Sequence, residues 1–154
     1  MNIALSRFED FRRRGNWIMG LIDLIICLEA MYLRENQELS YRLSHRCATL
    51  LGYEKSGKEK EQIRKFIKIA YDARSQLVHG GKINWKKIQS KNKIELKAYD
   101  FVEQVFEYAR QSIRRFLVLN RKHGLTKKKH ENFLHVVDSS IYNEKLLKDY
   151  LNDG

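Results

Sequence analysis

Proline is absent from the chain, so glycine alone punctuates its helices. Cysteine occurs only twice, at Cys27 and Cys47, each within an apolar stretch of helical spacing. Buried free thiols are the expected outcome rather than a disulfide scaffold. No apolar run approaches the ~20 residues that a membrane-spanning helix needs. The opening residues, MNIALSRFEDFRRRG, lack the uninterrupted apolar core of a secretory leader, which makes the cytoplasm the expected compartment. No segment of useful length alternates apolar and polar residues, so the pattern that a half-buried strand leaves is missing.

Familiar catalytic signatures are missing too. There is no CxxC pair, no glycine-rich phosphate loop and no G-x-S-x-G turn. His130-Glu131-Asn132-Phe133-Leu134-His135 approaches a zinc-protease motif, but its histidines stand five positions apart instead of four. Helix positions i and i+5 diverge by about 140°, so two such imidazoles do not share a metal. Zinc, P-loop and serine-nucleophile chemistry are disfavoured, and neither a metal nor a cofactor is expected.

What is present is a globular composition, 43% hydrophobic and 32% charged, in a length of 154 residues that suits one domain over 1–154. The net charge of +11 points to a polyanionic partner, nucleic acid before membrane. Helical periodicity runs through the chain. Residues 3–14 form a short helix ending at Gly15, with Arg12, Arg13 and Arg14 at its C-terminal end. Residues 17–33 are dense in Leu, Ile and Met and read as the most buried helix. Ser40 is the expected N-cap of a helix through Leu51, closed by Gly52. A long helix follows over 58–78, and another over 94–119, whose Phe101, Val105, Ala109, Ile113 and Phe116 fall on one face. Arg110, Arg114 and Arg115 lie along its polar side. After Gly124 a last helical region opens at Thr126-Lys127-Lys128-Lys129, breaks near 138–140 and resumes over 142–151. The fold class is all-α, a bundle of about five helices with short extra terminal helices.

The stretch 63–81, IRKFIKIAYDARSQLVHGG, organises the rest. Ile63, Phe66, Ile67, Ala70, Leu77 and Val78 recur at helical spacing, and Arg74 falls within that apolar face. A guanidinium there cannot shed its charge and needs an anion or an acceptor cluster beside it. His79 follows, then Gly80-Gly81, so the helix is expected to end at or just before the histidine. Glu29, near the end of the most buried helix, is either a partner for an arginine or a surface position. Residues 82–97 read as a loop with six lysines against one glutamate, with Trp85 among them. Lys82, Trp85, Lys86 and Lys87 suit phosphate contact with base stacking. The competing reading is a solvated loop whose indole packs on the bundle.

Arg74-Ser75-Gln76-Leu77-Val78-His79 resembles the R-x4-6-H signature of the HEPN superfamily, and the wider Tyr71–Gly80 wording resembles its Apea-like branch. The segments 21–30, LIDLIICLEA, and 40–52, SYRLSHRCATLLG, agree with it, and the resemblance covers roughly residues 3–120. It implies a helical bundle and metal-independent endoribonuclease activity by 2′-hydroxyl attack. Arg74 and His79 are then catalytic, with Glu29, Asp72 and Ser75 as supporting residues. It also implies a homodimer with a composite site, and a role in defence or toxin-like growth arrest beside an antitoxin or within a larger defence protein. Relatives carry this domain at the C-terminal end of longer chains. Many have Asn, Asp or His directly after the arginine, where this chain has Ser75. The chain also lacks the tyrosine two residues after His79 that the modified-tyrosine antitoxin scheme requires. Two readings stand against catalysis. In one, Arg74 and His79 cap a helix end and anchor a loop. In the other, the chain is a non-catalytic HEPN module that binds RNA or nucleotide, or dimerises.

Overall fold

The computed structural model describes residues 1–92 and 97–152, and these form an all-α bundle without a strand. In chain order the helices are α1 (Asn2–Arg13), α2 (Trp17–Tyr32), α3 (Leu39–Leu51), α4 (Gly57–Gly80), α5 (Trp85–Asn92), α6 (Ala98–His123), α7 (Lys127–Ser139) and α8 (Glu144–Asn152). That is eight helices among the described residues where about five with short terminal additions were expected. The N-terminus of the long helix expected from 94 falls on 93–96, outside the described residues.

α2 is apolar nearly all round, which dictates that other elements cover it. α1 lies on one side. Asp23 of α2, only 2% exposed, accepts from Arg7 Nη1 at 3.3 Å and from Arg14 Nε at 2.7 Å. α6 covers another side, where the Tyr32 hydroxyl and Ser112 Oγ share a buried hydrogen bond of 2.9 Å and the Tyr32 ring meets Phe116 edge-on. Cys27 and Cys47 are free and buried, and burial pushes the Cys27 thiol up to about 12, so both act as small apolar fillers.

α4 begins with a capping box. Ser56 Oγ accepts from the Glu59 amide, and Glu59 Oε2 accepts from the Ser56 amide at 3.0 Å. Its Ile63, Ile67, Ala70, Ala73 and Leu77 are buried, and Phe66 stacks on Phe101 of α6 at 4.7 Å. Val78, placed on the apolar face by its spacing, is instead 49% exposed. The helix also continues past His79. Gly80 is its last residue, and Gly81, at φ 68, is the left-handed cap whose amide donates to the Leu77 carbonyl at 3.0 Å. One glycine suffices for that cap, and it is the second of the pair.

Two other boundaries differ from expectation. α3 starts from Glu38, whose backbone is left-handed at φ 55, so Ser40 sits inside the helix and is not its cap. α5 occupies part of the stretch read as a loop. Asn84 Oδ1 accepts from the Lys87 amide at 3.0 Å and so opens the helix.

α7 is tied to the end of α2 by His130. The ring Nε2 lies 2.7 Å from the Met31 carbonyl and Nδ1 lies 2.6 Å from Arg34 Nη2. The carbonyl requires a proton on Nε2 and the guanidinium requires a lone pair on Nδ1, so the ring is neutral. Burial, and then the Arg34 charge, hold its pKa below the ordinary 6.5. The unfolded chain therefore takes up a proton as pH falls through the ordinary value while the folded chain does not, and stability falls with it. Thermal unfolding compared at about pH 7.5 and about 5.5 should show this fall, reduced in His130→Gln. Equal falls in parent and variant would remove His130 from the account.

Candidate active site

Arg74 projects from α4 at the edge of its buried face, between Ala73 and Leu77, and is 23% exposed. Its Nη2 lies 3.7 Å from Glu29 Oε2 of α2, and its guanidinium carbon stands 6.0 Å from the centre of the Tyr71 ring. Burial raises the Glu29 pKa, and the Arg74 charge opposes that rise. The Tyr71 hydroxyl is likewise raised, by burial and then by the Glu29 charge. Glu29 thus takes the first of its two expected roles, as the anion beside an arginine.

At 3.7 Å the pair is an ion pair beyond hydrogen-bonding reach. Arg74 Nε is buried without a partner, and no hydrogen bond to any Arg74 donor occurs among the described residues. The side chain is therefore held in place by charge and packing while its fork of N–H groups stays unfilled. Among the described residues Arg42 Nε is likewise buried without a partner, and the Arg74 fork has the geometry to receive an oxyanion.

His79 is exposed in the last turn of α4, with no ion pair or hydrogen bond among the described residues. Because α4 is helical through Gly80, Arg74 and His79 diverge by about 140° around its axis. Loosening of the helix over 78–81, which would turn the imidazole back toward Arg74, does not occur. Within one chain the two residues share a helix end but not a face. Asp72 is exposed and Ser75 half-buried, on either side of the Arg74 position.

The segment after α4 folds back on it, since the Asn84 amide donates to Gln76 Oε1 at 3.2 Å. Lys82, Lys86 and Lys87 are exposed there. Trp85 is half-buried with its ring against Phe101 at 5.4 Å, so the packing alternative describes the indole. The lysines beside it remain available to a polyanion at the same end of α4.

Sequence reasoning passed over the most heavily bonded cation, Arg46 of α3, which is 1% exposed and bound by Glu35, Asp138 and the Tyr32 carbonyl. A usable signal existed. Arg46 falls among Leu43, Cys47 and Leu50 as Arg74 falls among its own apolar neighbours. Its role is structural, because every one of its donors is filled. A separate cavity of about 730 Å³ lies among α3, the first turns of α4 and α8, lined by His45, Tyr53, Lys60, Arg64 and Leu147 among others, and contains neither Arg74 nor His79. No helix among the described residues is long and apolar enough to cross a membrane. No family model matches the chain, and no curated protein or solved structure matches it.

Proposed function

We propose that this chain is a metal-independent endoribonuclease of HEPN type that works as a homodimer in the cytoplasm, in defence or toxin-like growth arrest. The observation that carries the reading is Arg74, anchored by Glu29 at 3.7 Å with its hydrogen-bonding fork unfilled. A phosphate in the act of transfer offers that fork two oxygens at once. RNA supplies its own nucleophile, so the protein needs only proton transfer and charge stabilisation. His79 takes the proton from the 2′-hydroxyl, the O2′–P bond forms, and Arg74 steadies the phosphorane. The P–O5′ bond then breaks and the protonated His79 returns that proton to the 5′-oxygen. The products are a 2′,3′-cyclic phosphate and a 5′-hydroxyl.

The divergence of Arg74 and His79 on one helix supports a composite site across a two-fold axis, in which the guanidinium of one subunit meets the imidazole of the other. Exposed Val78 and the side-chain-free Gly80-Gly81 give α4 a surface on which a second α4 end can close. Light scattering at concentrations where the enzyme is active should give a dimer, and a monomer that cuts RNA would contradict the composite site. Total RNA incubated in EDTA should be cleaved to cyclic-phosphate ends. A strict requirement for added Mg²⁺ would overturn the chemistry.

The same divergence favours a second reading, a non-catalytic HEPN module that binds RNA or nucleotide, or dimerises a larger assembly. It predicts RNA binding without any cleavage that depends on His79.

A further inference from the structure

From 108 to 130 the chain has no Asp or Glu and eight Lys and Arg, which is eight of the net +11. This interval covers most of α6, the turn at Gly124 and the first turn of α7. Several of these cations serve the fold. Arg110 pairs with Glu107, Lys122 Nζ donates to the Leu151 carbonyl at 2.9 Å, and Lys129 Nζ donates to the His123 carbonyl at 2.6 Å. Arg115 is half-buried, with its charge felt by Tyr32.

Arg114, Arg121, Lys127 and Lys128 serve nothing internal. All four are exposed, and among the described residues none makes an ion pair or a hydrogen bond. Arg114, Leu117, Val118 and Arg121 stand at i, i+3, i+4 and i+7, so they share one face of α6. Leu117 is 45% exposed and Val118 58% exposed, leaving an apolar strip between two arginines. Lys127 and Lys128 lie in the first turn of α7, where positive charge opposes the helix dipole, so helix stability does not account for them. Unpaired cations around exposed aliphatic side chains fit a nucleic-acid strand, with phosphates on the cations and sugars or bases on the strip.

We propose that this face of α6, continued by the start of α7, is a second RNA-binding surface, distinct from Lys82, Lys86 and Lys87 beside Arg74. The proposal rests on the RNA reading above and adds a substrate length to it. Trp85 marks the first surface by its contact with Phe101, near the N-terminus of α6. From Phe101 to Arg121 the helix rises about 30 Å, which a stacked strand at ~3.4 Å per nucleotide crosses in about nine nucleotides. A strand that engages both surfaces is therefore an oligonucleotide of at least that length, not a dinucleotide.

The test uses the full chain carrying His79→Ala, so that RNA stays intact, and single-stranded RNAs of about 20 and about 5 nucleotides, one longer and one shorter than the span. Binding is measured across a salt series with and without Arg114→Gln, Arg121→Gln, Lys127→Gln and Lys128→Gln combined. The four side chains are exposed, so thermal unfolding should match the parent. On the long RNA the combined variant should lose about 3 from the slope of log affinity against log salt, at ~0.7 per phosphate contact. The short RNA should show little change. An unchanged slope on long RNA sinks the second surface and leaves the RNA reading standing. A parent that binds no RNA sinks both. Charge-dependent binding to phosphatidylserine vesicles without binding to RNA would make the surface a membrane-docking one and overturn the proposal.

Discussion

Arg46→Met should destabilise the protein by about 3–5 kcal/mol, the cost of breaking a buried charge network by removing one partner. Arg46 is 1% exposed and fills all its donors. Nε and Nη2 donate to the two Asp138 oxygens at 2.8 and 2.7 Å, Nη2 and Nη1 donate to the two Glu35 oxygens at 2.7 and 2.9 Å, and Nη1 donates to the Tyr32 carbonyl at 2.7 Å. The substitution keeps the apolar volume but leaves the two carboxylates with only Arg42 as a cation, its Nη1 at 3.8 Å from Glu35 and 3.9 Å from Asp138, and the Tyr32 carbonyl without its Arg46 donor. For a chain of this length the loss corresponds to a fall in melting temperature of roughly 6–20 °C. A fall equivalent to less than about 1 kcal/mol would show that Glu35 and Asp138 relax into solvent, and that the network does not hold α7 to α3.

The same network sets an acid limit. The Arg46 hydrogen bonds hold Glu35 down at about 2, against an ordinary 4.5. Its contribution is therefore complete above the ordinary value and is lost as pH falls from there toward about 2. Combining Arg46→Met with Glu35→Gln and Asp138→Asn should recover much of the single-variant loss, because no carboxylate is then left unpaired.

His79→Ala should lower the rate of RNA cleavage by roughly 10²–10⁴-fold, the usual effect of losing one positioned proton-transfer group. Its side chain is exposed and unpartnered, so the melting temperature should stay within experimental scatter. Arg74→Lys is the complementary variant. It preserves the charge opposite Glu29 and most of the stem, so folding should survive, but the ammonium lacks the planar fork. Cleavage should fall while RNA affinity changes little. An Arg74→Lys protein that cuts at the parental rate would reduce Arg74 to a point charge, and the unfilled fork would lose its meaning.

Elements with a strong period were legible in the sequence. The density of Leu, Ile and Met in α2 and the spacing of Phe101, Val105, Ala109 and Phe116 in α6 announced buried helices from residue types alone. So did the need of Arg74 for an anion, and Glu29 provides one. The end of α4 was less legible, because either glycine of Gly80-Gly81 satisfies a left-handed cap, and it is the second that takes it. Val78 was misplaced because periodicity marks a helix face without saying how wide a neighbour covers it. The burial of Arg46 was legible from its apolar neighbours Leu43, Cys47 and Leu50, but its partners were not. Its partner Asp138 lies 92 residues away, and no local pattern records a contact made by folding.

The central claim is that Arg74 and His79 act on RNA together although one helix points them apart. Co-expression of Arg74→Ala and His79→Ala chains tests it most directly, with each variant also assayed alone on the same RNA in EDTA. If each site takes its guanidinium from one subunit and its imidazole from the other, mixed dimers contain an intact pair. They should then cleave RNA well above the sum of the two variants alone. A mixture no more active than that sum, from variants that fold and dimerise as the parent does, would contradict the account.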